Sequence, residues 1–541
     1  MGSSPPGSPG TATRVTGMHA VLELPGNPSD SAQRGAVAML TGDAPRPWEW
    51  RYDALAVAEA TEGHALYLTA NTCFERLHLV AALGLDSTAL SCYLWEAEQS
   101  YCFDAHPPPK RLQAQSQQFQ LPGASYASTI FRSSSQSMRL EDVDHPTETP
   151  ALDWRARQML NPYHHSGHAA DVTSAAAHFL CSNVISARLT ATDVGAVLFA
   201  AAMHDFRHPA LSNNYILNAA SAACDPVWEG LATTYNDISI LESMHAAEAF
   251  RLLRKPNANF IATCTSRVRR RFRKIAISCI LATDLARAGE FIGKFEKELE
   301  KVISYNIDAE TGAGKPSRGA GSGDKDGGPV GFQDDAAKIA LAQMIVKVSD
   351  VSHPARQWKV HSAWTSRIQE EFTAQGARER RINLPVSPLC DVSEVMPKAQ
   401  LGFIDFVVKP CVTPLAKLCS AEGYSLEWLE QLNANRREWQ RLHKEQQAVS
   451  STSSGCGDPA CTQRRSPELA KVSPSPISTD EVPNGSVPTS PGGSRRARDS
   501  VKARTPTRRE RIGSMSTGRK TGLELQPEGN EIDVHSSQAT A

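Results

Sequence analysis

The sequence predicts an all-α domain between two disordered flanks. Three observations carry this reading. Apolar residues recur at helical spacing in several segments. Runs of alternating β-branched residues closed by hairpin turns are missing. The 16 Phe, 9 Trp and 10 Tyr of the 541-residue chain all lie between Trp48 and Trp439. Flanks without aromatics, rich in Ser, Pro, Gly and charge, bury too little apolar surface to offset the entropy of ordering. The expected division is a disordered segment over 1–46, one domain over 47–445 and a disordered tail over 446–541.

The elements follow in chain order. The start, MGSSPPGSPG, lacks the basic and apolar regions of a secretory signal, and Pro6 stands where a myristoylation signal needs Ser or Thr. Over 86–98, Asp86 and Ser87 offer N-caps, and Leu90, Tyr93, Leu94 and Ala97 fall on one helical face. Residues 103–157 hold PPP, QAQSQQFQ and SSSQS and read as a polar, low-complexity insertion. A helix is predicted over 192–204, entered at Thr192 and ending in Met203-His204-Asp205. SRVRRRFRKIAI (266–277) reads as a basic, solvated helix face. A second insertion is expected over 308–333, with eight glycines from Gly312 to Gly331. Its Gly314-Lys315 makes no phosphate loop, because Ala309 replaces the first glycine and Pro316 the Ser/Thr. Over 359–376, His361, Trp364, Ile368 and Phe372 share one face and Gly376 supplies the stop. The tail carries RRARDS and RRERIGS, ending in Ser500 and Ser514, and steps such as Ser473-Pro474 and Thr505-Pro506 that kinases could modify.

A net charge of −1 argues against a general nucleic-acid binder. No run of 18 apolar residues predicts a membrane span. The 12 cysteines form no CxxC pair and read as reduced thiols of a cytoplasmic protein. Oligomeric state is not legible.

Six of the 16 histidines (His164, His165, His168, His178, His204, His208) fall within 45 positions. His164 and His168 stand at i, i+4, as do His204 and His208, so each pair is expected on one helix face. Asp205 follows His204 directly, and Asp350 lies in a later helical segment, VKVSDVSHP. Imidazole suits zinc and other transition metals, and carboxylates suit Mg²⁺ or Mn²⁺. His and Asp from separate helices therefore suit a metal-dependent phosphohydrolase, with one Asp able to bridge two ions.

NPYHHSGHAADVT (161–173), HDFRHPALSNNY (204–215), YNDISILESMH (235–245), ATDL (282–285), SDVSHP (349–354), EEFTAQG (370–376), LPVSPLCD (384–391) and QLGFIDFVVKP (400–410) stand in one order. In that order they resemble the class I cyclic nucleotide phosphodiesterases, from about residue 51 to 443. SHP, SPLCD and GFIDF look most like the calcium/calmodulin-dependent subclass. No basic amphipathic helix in 1–47 supports calmodulin itself as a partner. The resemblance implies a compact multi-helix catalytic domain of the HD type with two divalent metals, zinc and Mg²⁺ or Mn²⁺. His168, His204, Asp205 and Asp350 would hold the tighter ion, with Asp205 bridging to the second. His208, Glu242 and Thr283 would hydrogen-bond the water around that second ion. His164 would protonate the O3′ leaving group as water attacks the cyclic phosphate. Gln400 would read the purine edge of cyclic AMP or cyclic GMP, with Phe403 and Ile368 clamping the ring. Phe372 and Trp364 would stand behind them, and Tyr163 beside the pocket. His353 occupies a position tied to nucleotide preference.

Four positions depart from the family pattern. His165 stands for Asn, Met244 and Ala288 for His, and Ala377 for Asp. None is an expected metal ligand or the expected acid. Two other readings stay open: a catalytically impaired cyclic-nucleotide-binding scaffold, and an HD-type phosphohydrolase acting on other nucleotides.

Overall fold

The structure, a computed structural model, describes Leu24, Pro28–Cys102, Trp154–Ala222, Asp225–Thr311, Gly331–Asp391 and Met396–Ser453, all within the unit Met1–Asp458. Among these residues the regular elements are helices, and the only extended contact is an isolated parallel bridge between Cys102 and His208. The first helices are α1 (Asp30–Thr41), α2 (Ala54–Ala60), α3 (Ala65–Arg76) and α4 (Ser87–Gln99). Next come α5 (Ser166–Leu180), α6 (Ala191–Met203), α7 (Asn213–Ala222), α8 (Pro226–Thr234) and α9 (Ile240–Leu252). The last are α10 (Ser266–Leu281), α11 (Ala288–Thr311), α12 (Asp335–Asp350), α13 (Trp358–Arg381), α14 (Met396–Phe403), α15 (Lys409–Ala421) and α16 (Glu427–Ser453).

Three helices form the centre. α5 is buried from Gly167 to Ala177, α6 from Asp193 to Met203 and α12 from Ala340 to Ser349, so none keeps a solvent face. Each Leu, Phe, Ile or Met withdrawn from water there contributes about 1.5–3 kcal/mol before entropy is counted. α6 packs on α5, α10 and α12, and its start is pinned by a reciprocal cap between Thr190 and Asp193. Arg271 Nε of α10 donates to the buried Asp193 carboxylate at 2.6 Å. The functional consequence lies in the ends: His168 stands in the first turn of α5, His204 caps the end of α6 and Asp350 is the last residue of α12.

Several expectations are corrected. Residues 30–41 are helical, although they precede the first aromatic residue. Ala32, Ala36 and Leu40 form a buried i, i+4, i+8 stripe, and Ser29 caps Ala32 N at 3.0 Å. Small apolar side chains carry that burial, so an aromatic census overlooks it. α6 is capped by Thr190, two residues before Thr192, while α4 takes Asp86 as its cap as expected. α13 runs through Gly376 to Arg381. A Cβ at Gly376 would stand 2.2 Å from the Cys390 carbonyl oxygen, so this glycine permits a close approach instead of ending a helix.

The expected insertions are shorter at their edges than composition suggests. Trp154–Leu160 is helical, α11 continues to Thr311, and Phe332 is fully buried against Phe295, ring centroids 5.0 Å apart. The remainder of both insertions lies outside the described residues, as does the tail beyond 453 with Ser500 and Ser514.

Candidate active site

The site begins with two turns that the chain is built to hold. His165 is the N-cap of α5, its Nδ1 accepting from Gly167 N at 2.9 Å. A Cβ at Gly167 would meet the His165 ring at 2.6 Å, so the Ser-Gly after the paired histidines lets the cap close. This also corrects the helix-face expectation: His164 precedes α5 and only His168 is on it. His204 likewise ends α6, and His208 follows in a loop. That loop is strained and held, with Arg207 and Ala210 at φ 64 and 56. Arg207 N donates to Tyr101 O at 2.5 Å, Asn161 Nδ2 to His208 O at 2.7 Å and Ala210 N to His208 Nδ1 at 3.0 Å.

His168, His204, Asp205 and Asp350 converge, their ligand atoms within 4.8 Å of one another. His168 Nε2 lies 3.3 Å from Asp350 Oδ1 and 3.7 Å from Asp205 Oδ2. His204 Nε2 lies 3.0 Å from Asp205 Oδ2 and 3.3 Å from Asp350 Oδ1. His204 Nδ1 is 3.0 Å from Ala201 O, an acceptor, so Nδ1 carries the proton of the neutral ring. Its buried Nε2 then points a lone pair at carboxylate oxygens without hydrogen-bond alignment. Acceptors facing acceptors in a buried place need a cation between them, and two imidazoles with two carboxylates suit a divalent metal. Burial depresses the His204 imidazole, but Asp205 and Asp350 outweigh it and hold its pKa well above the usual value, so a proton on Nε2 serves as the cation until a metal displaces it.

Asp205 also faces a second group. Its Oδ1 lies 3.8 Å from His245 Nε2, and Asp205, His208 and His245 bring ligand atoms within 4.8 Å. His245 Nδ1 donates to Phe206 O at 2.8 Å. One carboxylate thus uses one oxygen toward His168 and His204 and the other toward His245.

His164 sits beside both groups, its ring stacked on His208 at 3.9 Å. Glu371 of α13 takes its Nδ1–H on Oε1 and the backbone N–H groups of Tyr163 and His164 on Oε2, each at 3.1 Å. Burial pulls the His164 pKa down, but the Glu371 and Asp205 carboxylates carry it up to about 9. A third cluster of ligand-type groups, His164, His208 and Glu371, is the His164 imidazolium hydrogen-bonded to Glu371 and stacked on the His208 ring.

Glu242 and Thr283 stand further out. Asn213 Nδ2 reaches both Glu242 oxygens at 3.2 and 3.0 Å, and burial, with Asp284 nearby, raises the Glu242 pKa to about 7. Thr283 Oγ1 donates to Ile280 O at 2.8 Å. Gln400 is buried on α14 with Thr365 Oγ1 3.5 Å from its Oε1. Behind it Trp439 Nε1 donates to His361 Nε2 at 2.7 Å, so His361 presents Nδ1–H toward His353 Nδ1 at 3.1 Å and Thr365 Oγ1 at 3.4 Å. His353 stacks parallel to Phe403, centroids 6.0 Å apart. Tyr163 packs with Ile368 and the fully buried Trp364, while Phe372 is partly buried one turn beyond Ile368.

Residues 163–427 match the model of the 3′5′-cyclic nucleotide phosphodiesterase family. Over this stretch, just under half of the chain, the sequence is similar to that family. A probable 3′,5′-cyclic-AMP phosphodiesterase of Caenorhabditis elegans is 33% identical over 282 residues, covering 52% of this chain and 37% of the relative. A dual specificity calcium/calmodulin-dependent 3′,5′-cyclic nucleotide phosphodiesterase of Mus musculus is 31% identical over 266 residues, covering 49% of this chain and 42% of the relative. The chain thus spans well under half the length of these relatives. The phosphodiesterase domain of the rhodopsin phosphodiesterase of Salpingoeca rosetta shares the fold, with a TM-score of 0.53 at 20% identity, covering 79% of this chain and 98% of that domain.

Against the phosphodiesterase pattern, two departures find a physical place. His165 serves as the α5 cap, and Met244 is buried in an apolar cluster with Tyr215, Ile216 and Leu384. Residues that sequence reasoning passed over are Glu371, His245, Asn161, His361 and Trp439. The first three lie inside the phosphodiesterase-like segments EEFTAQG, YNDISILESMH and NPYHH, which was the available signal.

Proposed function

We propose that this protein hydrolyses the 3′ phosphoester bond of 3′,5′-cyclic nucleotides, cyclic AMP and cyclic GMP, to 5′-nucleoside monophosphates, and so ends cyclic nucleotide signals. The observation that supports it best is the convergence of His168, His204, Asp205 and Asp350 beside a His164 imidazolium held by Glu371. The four ligands would hold zinc, and Asp205 would share the second ion, Mg²⁺ or Mn²⁺, with His208, Glu242 and Thr283 orienting the water around it. Bound there, divalent cations supply a low-pKa water and neutralise charge growing on the phosphoryl oxygens.

The chain's own residues do the rest. Glu371 keeps the His164 ring charged and fixes its orientation, so the opposite nitrogen, Nε2, presents a proton to O3′ as the P–O3′ bond breaks. Gln400 offers its amide to the purine edge. Phe403 and Ile368 flank the base, with Tyr163, His353, Trp364 and Phe372 supporting them. Cyclic-AMP and dual-specificity relatives match at similar identity, 31–33%, which favours a reading that keeps both nucleotides. Nine described cysteines are all free, in keeping with a cytoplasmic location, and no described helix is long and apolar enough to cross a membrane. Kinase action on Ser500 and Ser514 belongs to the same proposal, and unchanged phosphate content in the S500A/S514A protein from cells would remove it.

The test of activity is hydrolysis of both nucleotides with Mg²⁺, with chelator, and by the D205A variant. Metal-dependent turnover that D205A loses supports the reading. Wild-type turnover no greater than that of D205A overturns it.

A further inference from the structure

Lys347 has no place in this scheme and is fully buried in α12. Among the described residues no carboxylate lies within ion-pair distance of it. Its Nζ donates instead to two backbone carbonyls, Ala282 O at 2.9 Å and Asp284 O at 3.2 Å. These flank Thr283: Ala282 is the C-cap of α10, where the last carbonyls of a helix have no intrahelical partner and carry its negative pole, and Asp284 opens the turn that follows. One helical turn earlier on α12, Gln343 Nε2 donates to Ser278 O of α10 at 3.1 Å. The same corner is tied to the start of α9 by Ser239 Oγ, which donates to Asp284 Oδ2 at 2.6 Å. One turn beyond Lys347, α12 ends in Asp350.

We propose that Lys347 is a positioning residue for the metal centre: its amine fixes the Ala282–Asp284 corner, and with it Thr283, against the helix that presents Asp350. A buried amine is costly to desolvate and is retained only where its hydrogen bonds repay that cost. Here those bonds lock two carbonyls around one hydroxyl-bearing residue. An apolar side chain of equal length would fill the space, take the side-chain donor from Ala282 O and leave Asp284 O only the Arg287 N–H at 3.3 Å, freeing the corner to move relative to Asp350. The inference rests on the function proposed above, in which Thr283 orients water around the second ion.

The experiment uses the full-length, zinc-loaded protein, with Mn²⁺ as the probe and free Mn²⁺ counted by electron paramagnetic resonance. Wild type, K347M, T283A and the double variant are compared, with zinc content measured on each. K347M is expected to keep its zinc and to bind Mn²⁺ about tenfold more weakly, the loss usual for removing an outer partner of a metal site. Adding T283A to K347M is expected to cost little more, because residues acting through one another do not add. Should K347M fail to fold, K347Q, which keeps a shorter N–H donor, takes its place and is expected to lose less. Unchanged Mn²⁺ affinity in a folded variant, or losses that multiply in the double variant, would overturn the role given to Lys347. Wild-type protein that binds no Mn²⁺ and hydrolyses neither nucleotide overturns the function itself, a result distinct from either.

Discussion

Glu371 takes three hydrogen bonds from the Tyr163–His164 dipeptide: both backbone N–H groups on one oxygen and the His164 ring on the other. It therefore orients the imidazole and keeps it charged. The usual His164 pKa of 6.5 rises to about 9, because the carboxylates outweigh burial. The sign sets the pH profile: the proton-donating form persists up to about pH 9 and is lost above it. The pair's contribution to stability is complete below pH 6.5 and disappears as pH rises through about 9. E371Q removes the charge and leaves one acceptor oxygen where the carboxylate used two, so the ring N–H or the two backbone N–H groups lose their acceptor. Its kcat is expected to fall by about 10²-fold, the low end for a general acid, and the basic limb of kcat against pH should move down toward 6.5. A limb that stays in place would separate Glu371 from the acid.

Removal of metal should destabilise the folded protein, because His204 Nε2 and two carboxylates face one another in a buried space. A ligand at a thousandfold over its dissociation constant adds about 4 kcal/mol to the folded state. Chelated protein is expected to melt well below the zinc-loaded form and to recover on adding Zn²⁺. D350N, which loses one charge from the set, should show a smaller chelator effect. Equal melting temperatures with and without chelator would argue against an ion among these four residues.

The candidate ligand set was legible in the sequence because it depends on residue type: His168, His204, Asp205 and Asp350, which converge in the fold, carry their chemistry wherever the chain places them. The geometry that joins them was less so. Spacing i, i+4 suggested shared helix faces, yet α5 starts after His165 caps it, and α6 stops at His204. Which residue caps a helix is decided within two or three positions, too finely for a periodic pattern. Glu371 gave no signal of its own beside Glu370, since only the fold brings it to residues some 207 positions earlier. The stripe of α1 was missed because alanines carried the burial.

The hydrogen-bond chain behind Gln400 makes a prediction about substrate choice. Trp439 has only a donor to give, so His361 accepts at Nε2 and offers Nδ1–H toward Thr365 and His353. Thr365 is then free to donate to Gln400 Oε1, which turns the amide N–H groups outward. W439F keeps an aromatic ring, smaller than the indole, and removes the one donor. It is expected to change the ratio of kcat/KM for cyclic AMP and cyclic GMP by roughly fivefold, equivalent to one hydrogen bond of about 1 kcal/mol. An equal loss on both nucleotides would mean that Trp439 supports the pocket without orienting Gln400.

Gly376 separates two meanings of glycine in a helix. As a stop it would need the left-handed conformation at positive φ, which Gly376 does not adopt. In the structure α13 continues for five residues beyond it, and an added Cβ would stand 2.2 Å from Cys390 O and 3.2 Å from Cys390 Cβ. A backbone oxygen cannot swing aside as a flexible side chain does. The 384–391 segment would have to shift away from α13, and with it Ser387, whose N–H donates to Glu379 at 2.8 Å. G376A is therefore expected to destabilise by about 1–3 kcal/mol, the range for overpacking, read as a lower melting temperature with metal present. Since Glu371 lies on the same helix little more than one turn earlier, the same variant should also lose activity beyond what its stability explains. Normal melting in G376A would mean that the close approach to Cys390 does not constrain this position.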